Sequence, residues 1–102
     1  MGFNMIDSFR DDELEQFFRN NIVGKGIPAS IADSLFRRLQ MLDDAQTTAD
    51  LKSPPGNRFE PLLGKLAGKF SIRVNKKWRL IFEWGEKNGA SAVYLDPHDY
   101  KD

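Results

Sequence analysis

No cysteine occurs among the 102 residues, which excludes disulfides, thiolate nucleophiles and cysteine-ligated metals and gives no hint of secretion. Histidine is almost as scarce. With His98 alone, a zinc cluster is not expected, and a histidine pair for acid–base RNA cleavage cannot form within one chain. The sequence has no GxxxxGK[ST], no GxGxxG after a strand, no GxSxG and no HExxH, so the usual nucleotide-binding and hydrolase signatures are missing. No apolar run approaches the length of a membrane span. The opening Met1-Gly2-Phe3-Asn4 lacks the charged region and apolar stretch of a signal peptide. A cytoplasmic protein with no membrane partner, no cofactor and no metal is the expectation. Repeats and low-complexity tracts are absent too, and the length fits a single domain over residues 1–102. Hydrophobic residues make up 40% of the chain, enough for a core, although a domain this small leaves roughly a third of its unfolded-state surface wet.

Excess charge of one sign is also lacking, since the formal net charge is zero. The distribution is uneven. Residues 1–50 carry five bases against nine acids, and residues 51–102 carry ten bases against six acids. Between Lys52 and Arg79 stand eight bases (Lys52, Arg58, Lys65, Lys69, Arg73, Lys76, Lys77, Arg79) and only one acid, Glu60. A phosphate-binding footprint needs only one such face, with the acidic half behind it. A solvated polar surface would look the same at this level.

The first half reads as helical after a short strand. Met5-Ile6-Asp7-Ser8-Phe9 predicts that strand, and Ser8 followed by Asp11 predicts a helix start. Leu14, Phe17 and Phe18 share one helical face to about Asn21, where Gly24-Lys25-Gly26 breaks the pattern. Pro28 suits the first turn of a second helix, whose apolar stripe is Ile31, Leu35, Leu39 and Leu42. Residues 47–51 can add one turn, and residues 53–57 form a loop.

From residue 70 the period changes from 3.6 to 2. Phe70, Ile72 and Val74 alternate with polar residues, as do Trp78, Leu80 and Phe82 with their neighbours, and Asn75-Lys76-Lys77 reads as the hairpin loop. A third strand is predicted over about residues 92–96. The fold class is α+β, with an N-terminal strand and two antiparallel helices packed on one face of a small antiparallel sheet. Matching the apolar sets pairs Val74 with Trp78, Ile72 with Leu80 and Phe70 with Phe82. On the other face Arg73 then lies opposite Arg79, and Lys69 opposite Glu83. Like charges directly opposite are destabilising, so the arginine pair needs an outside anion or a carboxylate from elsewhere. A surface pair splayed into water is the plainer account. A platform for phosphate, which guanidinium matches in shape, is the functional one.

Metal-free RNA cleavage needs a base near the 2′-OH, positive charge on the phosphate oxygens and an acid for the leaving 5′-oxygen. Arginine can fill the middle role. Glu60, His98, Asp99, Tyr100 and Lys101 are the available proton-transfer groups, although polar C-terminal tails are commonly frayed and inert.

The run Arg58-Phe59-Glu60-Pro61-Leu62, Gly64, Gly68, Phe70-Ser71-Ile72-Arg73-Val74-Asn75 and Trp78-Arg79-Leu80, closing on Asp99-Tyr100-Lys101, resembles the HigB toxins, also called plasmid-maintenance killer proteins, of the RelE/ParE group. The likeness spans essentially the whole chain, and the stretch from Leu51 to Arg58 is similar to the GraT-like branch. The resemblance implies a RelE-like fold, metal-independent cleavage of mRNA in the ribosomal decoding site, and neutralisation by a HigA-type helix-turn-helix antitoxin. Carried over by position, it makes Arg79 the best-matched active-site residue, with Asp99 and Tyr100 next and Glu60 and Lys101 as further catalytic candidates. Arg58, Lys65, Lys69, Arg73, Lys76, Lys77 and His98 are the candidates for RNA and ribosome contact. Three positions depart from the family pattern. Glu60 and Lys101 stand where histidines are usual, and Leu63 stands where a lysine is usual. A gyrase-binding toxin of the ParE kind, or an inactive toxin fold serving as a co-repressor with its antitoxin, are the alternatives.

Overall fold

A computed structural model describes residues 5–98. Helix α1 (Asp12–Asn20) begins at Asp11, whose side chain accepts a hydrogen bond from the backbone N–H of Glu13 at 3.1 Å. Asp11 is thus the N-cap, and Ser8 is not. The hydroxyl of Ser8 instead accepts from the N–H of Ala92 at 2.9 Å. Asp12, Glu13 and Glu15 crowd the first turn, where the helix dipole favours them. Asn21 closes the helix in the left-handed region at φ 57°. The glycines that follow have a packing reason. Glu13 Oε1 accepts from the N–H of Gly26 at 2.8 Å, and a Cβ at Gly24 or Gly26 would collide with that carboxylate.

Pro28 leads into a short 3-10 turn, Ala29–Ile31, and then helix α2 (Ala32–Asp44). Its predicted stripe of Ile31, Leu35, Leu39 and Leu42 is fully or nearly fully buried. The two helices meet through Phe36, which lies against Phe17 and Phe18 at ring distances of 6.2 and 5.6 Å. A further 3-10 turn, Thr48–Lys52, carries a capping box between Thr47 and Asp50. The loop at 53–57 is pinned by buried Asn57, which donates to the carbonyls of Leu51 and Ser53 at 3.2 and 3.4 Å.

Four antiparallel strands follow in sequence order: β1 (Glu60–Pro61), β2 (Phe70–Arg73), β3 (Trp78–Gly85) and β4 (Gly89–Pro97). The hairpin register is the predicted one, with Phe70 opposite Phe82, Ile72 opposite Leu80 and Arg73 opposite Arg79. Asn75 holds the loop by accepting from the N–H groups of Lys77 and Trp78 at 2.8 and 2.9 Å. Strand β4 is longer than the predicted third strand, and β1 was not foreseen at all.

The predicted first strand is reduced to one ladder pair, a parallel bridge from Phe9 to Val93. Backbone bonds from Asp7 to Ala90 (2.7 Å), Val93 to Ser8 (3.2 Å) and Arg10 to Val93 (3.0 Å) still lay this segment along β4. A regular ladder is interrupted because β4 takes φ 50° at Ala92, and its register against β3 shifts between Ile81 and Glu83.

Both helices cover one face of the sheet, and their buried residues merge with Ile72, Val74, Leu80, Phe82, Ala90 and Val93 into one core. Alternate residues turn to the opposite, outer face. None of the described helices is long and apolar enough to cross a membrane.

Candidate active site

The outer face is organised in rows across the strands. One row reads Arg73, Arg79, Asp96 across β2, β3 and β4. The next, two residues along, reads Glu60, Ser71, Ile81, Tyr94 across β1 to β4. Strands lie about 4.8 Å apart and alternate residues about 7 Å apart along a strand, so Glu60 and Arg79 are separated by roughly 12 Å between backbone positions. Two long side chains can span that distance to a group between them.

Asp96 answers the demand that the opposed arginines create. The Nε of Arg79 donates to Asp96 Oδ2 at 3.0 Å, and the two side chains are 11% and 30% exposed. The carboxylate from elsewhere is therefore in place, and it comes from a residue that sequence reasoning did not single out. Arg79 makes that bond through Nε, and its terminal nitrogens form no further hydrogen bond among the described residues. A guanidinium fixed in this way presents its outer N–H groups in a set direction, the geometry that phosphate oxygens match.

Arg73 is held differently. Its Nε donates to the carbonyl of Asn75 at 3.2 Å, and its own carbonyl accepts from Arg38 Nε, also at 3.2 Å. Arg38 reaches this end of the sheet from α2. Burial, and secondarily the charge of Arg37, lower its pKa from the ordinary arginine value, yet a guanidinium stays protonated in proteins. A third cation thus supports the arginine row from beneath.

The other candidates are spread around this centre. Lys69 pairs with Glu83 at 2.9 Å, the relief predicted for that cross-strand pair. Glu60 is exposed at the β1 edge. Arg58, also exposed, takes the left-handed position after the turn Pro55–Asn57, and exposed Lys65 lies in the turn Gly64–Leu66. Lys76 and Lys77 project from the hairpin tip. His98 is brought beside them, because its backbone N–H donates to the carbonyl of Lys77, and the two line a small cleft with Trp78 and Pro97. Asp99, Tyr100 and Lys101 lie outside the described residues.

Two residues between the charged groups are buried. Ser71 and Ile81 point to the outer face, yet both are fully buried. Ser71 Oγ has no hydrogen-bond partner among the described residues. Low local dielectric strengthens charge interactions beside such buried groups. No set of three or more His, Asp or Glu residues is placed to hold a metal ion among the described residues.

Residues 7–98 match the family model described as RelE-like toxin of type II toxin-antitoxin system HigB. Toxin HigB-1 of Vibrio cholerae serotype O1 is 53% identical over 96 residues, covering 94% of this chain and all of that protein. A Haemophilus influenzae protein is 40% identical over 94 residues, 92% of each chain. Endoribonuclease HigB of Proteus vulgaris is 31% identical over 94 residues, 92% of this chain and all of that one. The chain belongs to the HigB family of RelE-like toxins, and is one half of a type II toxin–antitoxin pair.

Proposed function

We propose that this toxin is an endoribonuclease that cuts mRNA engaged in the ribosome and so stops translation in the cytoplasm, with a HigA-type helix-turn-helix antitoxin as its partner. The observation that carries the proposal is the row Arg73–Arg79–Asp96. It is a pair of opposed guanidinium groups, one of them oriented by a partly buried carboxylate, beside the buried Ser71 and Ile81. The name and full-length match of Endoribonuclease HigB support it.

Cleavage of this kind transfers the 2′-oxygen to phosphorus while the 5′-oxygen departs. Arg79 faces the negative charge that builds on the non-bridging oxygens, a role commonly worth a few kcal/mol. Arg73 holds the same phosphate on its other side. Glu60 takes the proton from the 2′-OH, and Asp99, Tyr100 and Lys101 supply or relay the proton to the leaving oxygen. Arg58, Lys65, Lys69, Lys76, Lys77 and His98 hold flanking phosphates and ribosomal RNA, which carries strong salt dependence.

The test is a brief pulse of expression followed by sequencing of mRNA 5′ ends. Breaks phased to codons in translated messages are the expected result. Intact mRNA together with a DNA-damage response would refute the nuclease assignment in favour of gyrase inhibition. An antitoxin reading frame is expected beside this one, and its co-expression should restore growth and yield a stable complex.

A further inference from the structure

Arg10 is the residue that the charge pattern of the second half leaves out. Its backbone is fixed to the outer edge of β4 by the N–H bond to Val93 at 3.0 Å. Its guanidinium carbon lies 4.0 Å from the centre of the Tyr94 ring. Tyr94 belongs to the row of Glu60, Ser71 and Ile81, and stands two residues before Asp96 on the same face of β4. The pair therefore continues the face that carries Arg79, with Tyr94 roughly 8 Å and Arg10 roughly 12 Å from it between backbone positions.

Two comparisons within the molecule set this contact apart. Arg79, Lys69 and Arg19 each pair with a carboxylate, from Asp96, Glu83 and Glu15 respectively. Exposed Arg10 has no such ion pair among the described residues. Arg19 also lies over a ring, that of Phe9 at 5.5 Å, but its charge is already met by Glu15 at 2.8 Å. Nor is the contact needed to hold the N-terminal segment in place. Asp7, Ser8 and Arg10 already bond to β4 through four hydrogen bonds.

We propose that Arg10 and Tyr94 form a nucleotide subsite for the single-stranded RNA beside the cut, an inference that rests on the nuclease assignment above. The Arg10 guanidinium carbon lies over the Tyr94 ring and the residue is exposed, so the group can be reached by a ligand from the side away from the ring. Unstacked bases of single-stranded RNA stack on arginine planes of this kind as they do on aromatic rings. The edge of the same group carries N–H donors for the adjoining phosphate. The subsite grips one nucleotide by its base and its phosphate, while Arg79 and Arg73 hold the phosphate that reacts.

Steady-state cleavage of an end-labelled mRNA on purified ribosomes tests this with Arg10→Ala, Arg10→Lys, Tyr94→Leu and Arg79→Ala, each checked by thermal melting. Arg10→Ala and Tyr94→Leu should raise KM about tenfold, the loss that removing one stacked base commonly brings. Their kcat should stay close to that of the parent. Arg10→Lys should keep most of the defect, because a lysine offers charge without a plane. An unchanged KM in folded Arg10→Ala would overturn the subsite, and so would full recovery by lysine. If the parent protein itself leaves the mRNA intact, the nuclease assignment is what fails; if Arg79→Ala cuts at the parent rate, the reaction does not take place at Arg79.

Discussion

Replacing Asp96 by asparagine tests the arrangement at the centre of the outer face. The substitution keeps size and shape but removes the charge that faces Arg79, leaving it opposite Arg73 without the carboxylate of Asp96. Fully exposed pairs contribute about 0–1 kcal/mol, whereas removing one partner of a buried pair costs about 3–5 kcal/mol. With side chains 11% and 30% exposed, this pair lies between those limits, so a loss of about 2 kcal/mol is expected. For a domain of this size that lowers Tm by roughly 8–16 °C. Glu83→Gln is the matched control. It breaks the more exposed Lys69 pair, 24% and 52% exposed, and should cost under about 1 kcal/mol. Thermal melts followed by circular dichroism, repeated in an Arg79→Met background, complete a double-mutant cycle. An Asp96→Asn melt within about 4 °C of the parent would mean a contribution below about 1 kcal/mol, and the reasoning from opposed arginines would be refuted.

Arg79→Ala should slow mRNA cleavage by about 10²–10³ and abolish growth arrest, while full toxicity in that variant would overturn the enzymatic use of this face. Tyr100→Phe removes a hydroxyl and keeps the ring. Lost cleavage in Tyr100→Phe would show proton transfer or alignment, and full activity alongside an inactive Tyr100→Ala would show packing instead. Ser71→Ala deletes the buried, unpartnered Oγ and should leave Tm unchanged or raise it by a few degrees, since an unsatisfied buried group costs about 1–3 kcal/mol. A clear fall in Tm would show that the hydroxyl is bonded within the fold.

What could be read from the sequence follows from where a local period determines the structure. The stripe of Ile31, Leu35, Leu39 and Leu42 and the pairing of Ile72 with Leu80 each depend on one repeated spacing, and both are observed. Asp96 was hidden because its place depends on β4's register against β3. That register slips between Ile81 and Glu83, and Ala92, no usual residue for positive φ, takes φ 50° nearby. Strand β1 has only two residues, one of them Pro61, too few to show alternation. Its effect is large, because it places Glu60 in the row of Ser71. Alternation also marked Ser71 and Ile81 as outward-facing without revealing that they are buried, since burial there depends on what lies over the face rather than on the strand pattern. Ser8 followed by Asp11 read as one helix-start signal, but the cap is Asp11 itself and the Ser8 hydroxyl is taken by Ala92.

The arrangement of carboxylates also reconciles a neutral chain with a cationic site. The basic run between Lys52 and Arg79 contains one acid, but Asp96 and Glu83 return to it from β4 and the far end of β3. Pairing lowers the long-range field of this face. On the proposed mechanism it would not weaken the contact with the reacting phosphate. Arg79 is tethered through Nε, so its remaining donors are aimed before substrate arrives and need no reorganisation as charge develops on phosphate. A phosphate in its ground state gains little from displacing the pull of Asp96, whereas one gathering further negative charge gains more. Differential binding of that kind raises kcat rather than affinity. On the proposed reading, such a toxin would draw its binding energy from the ribosome and use its own arginines on the reacting phosphate.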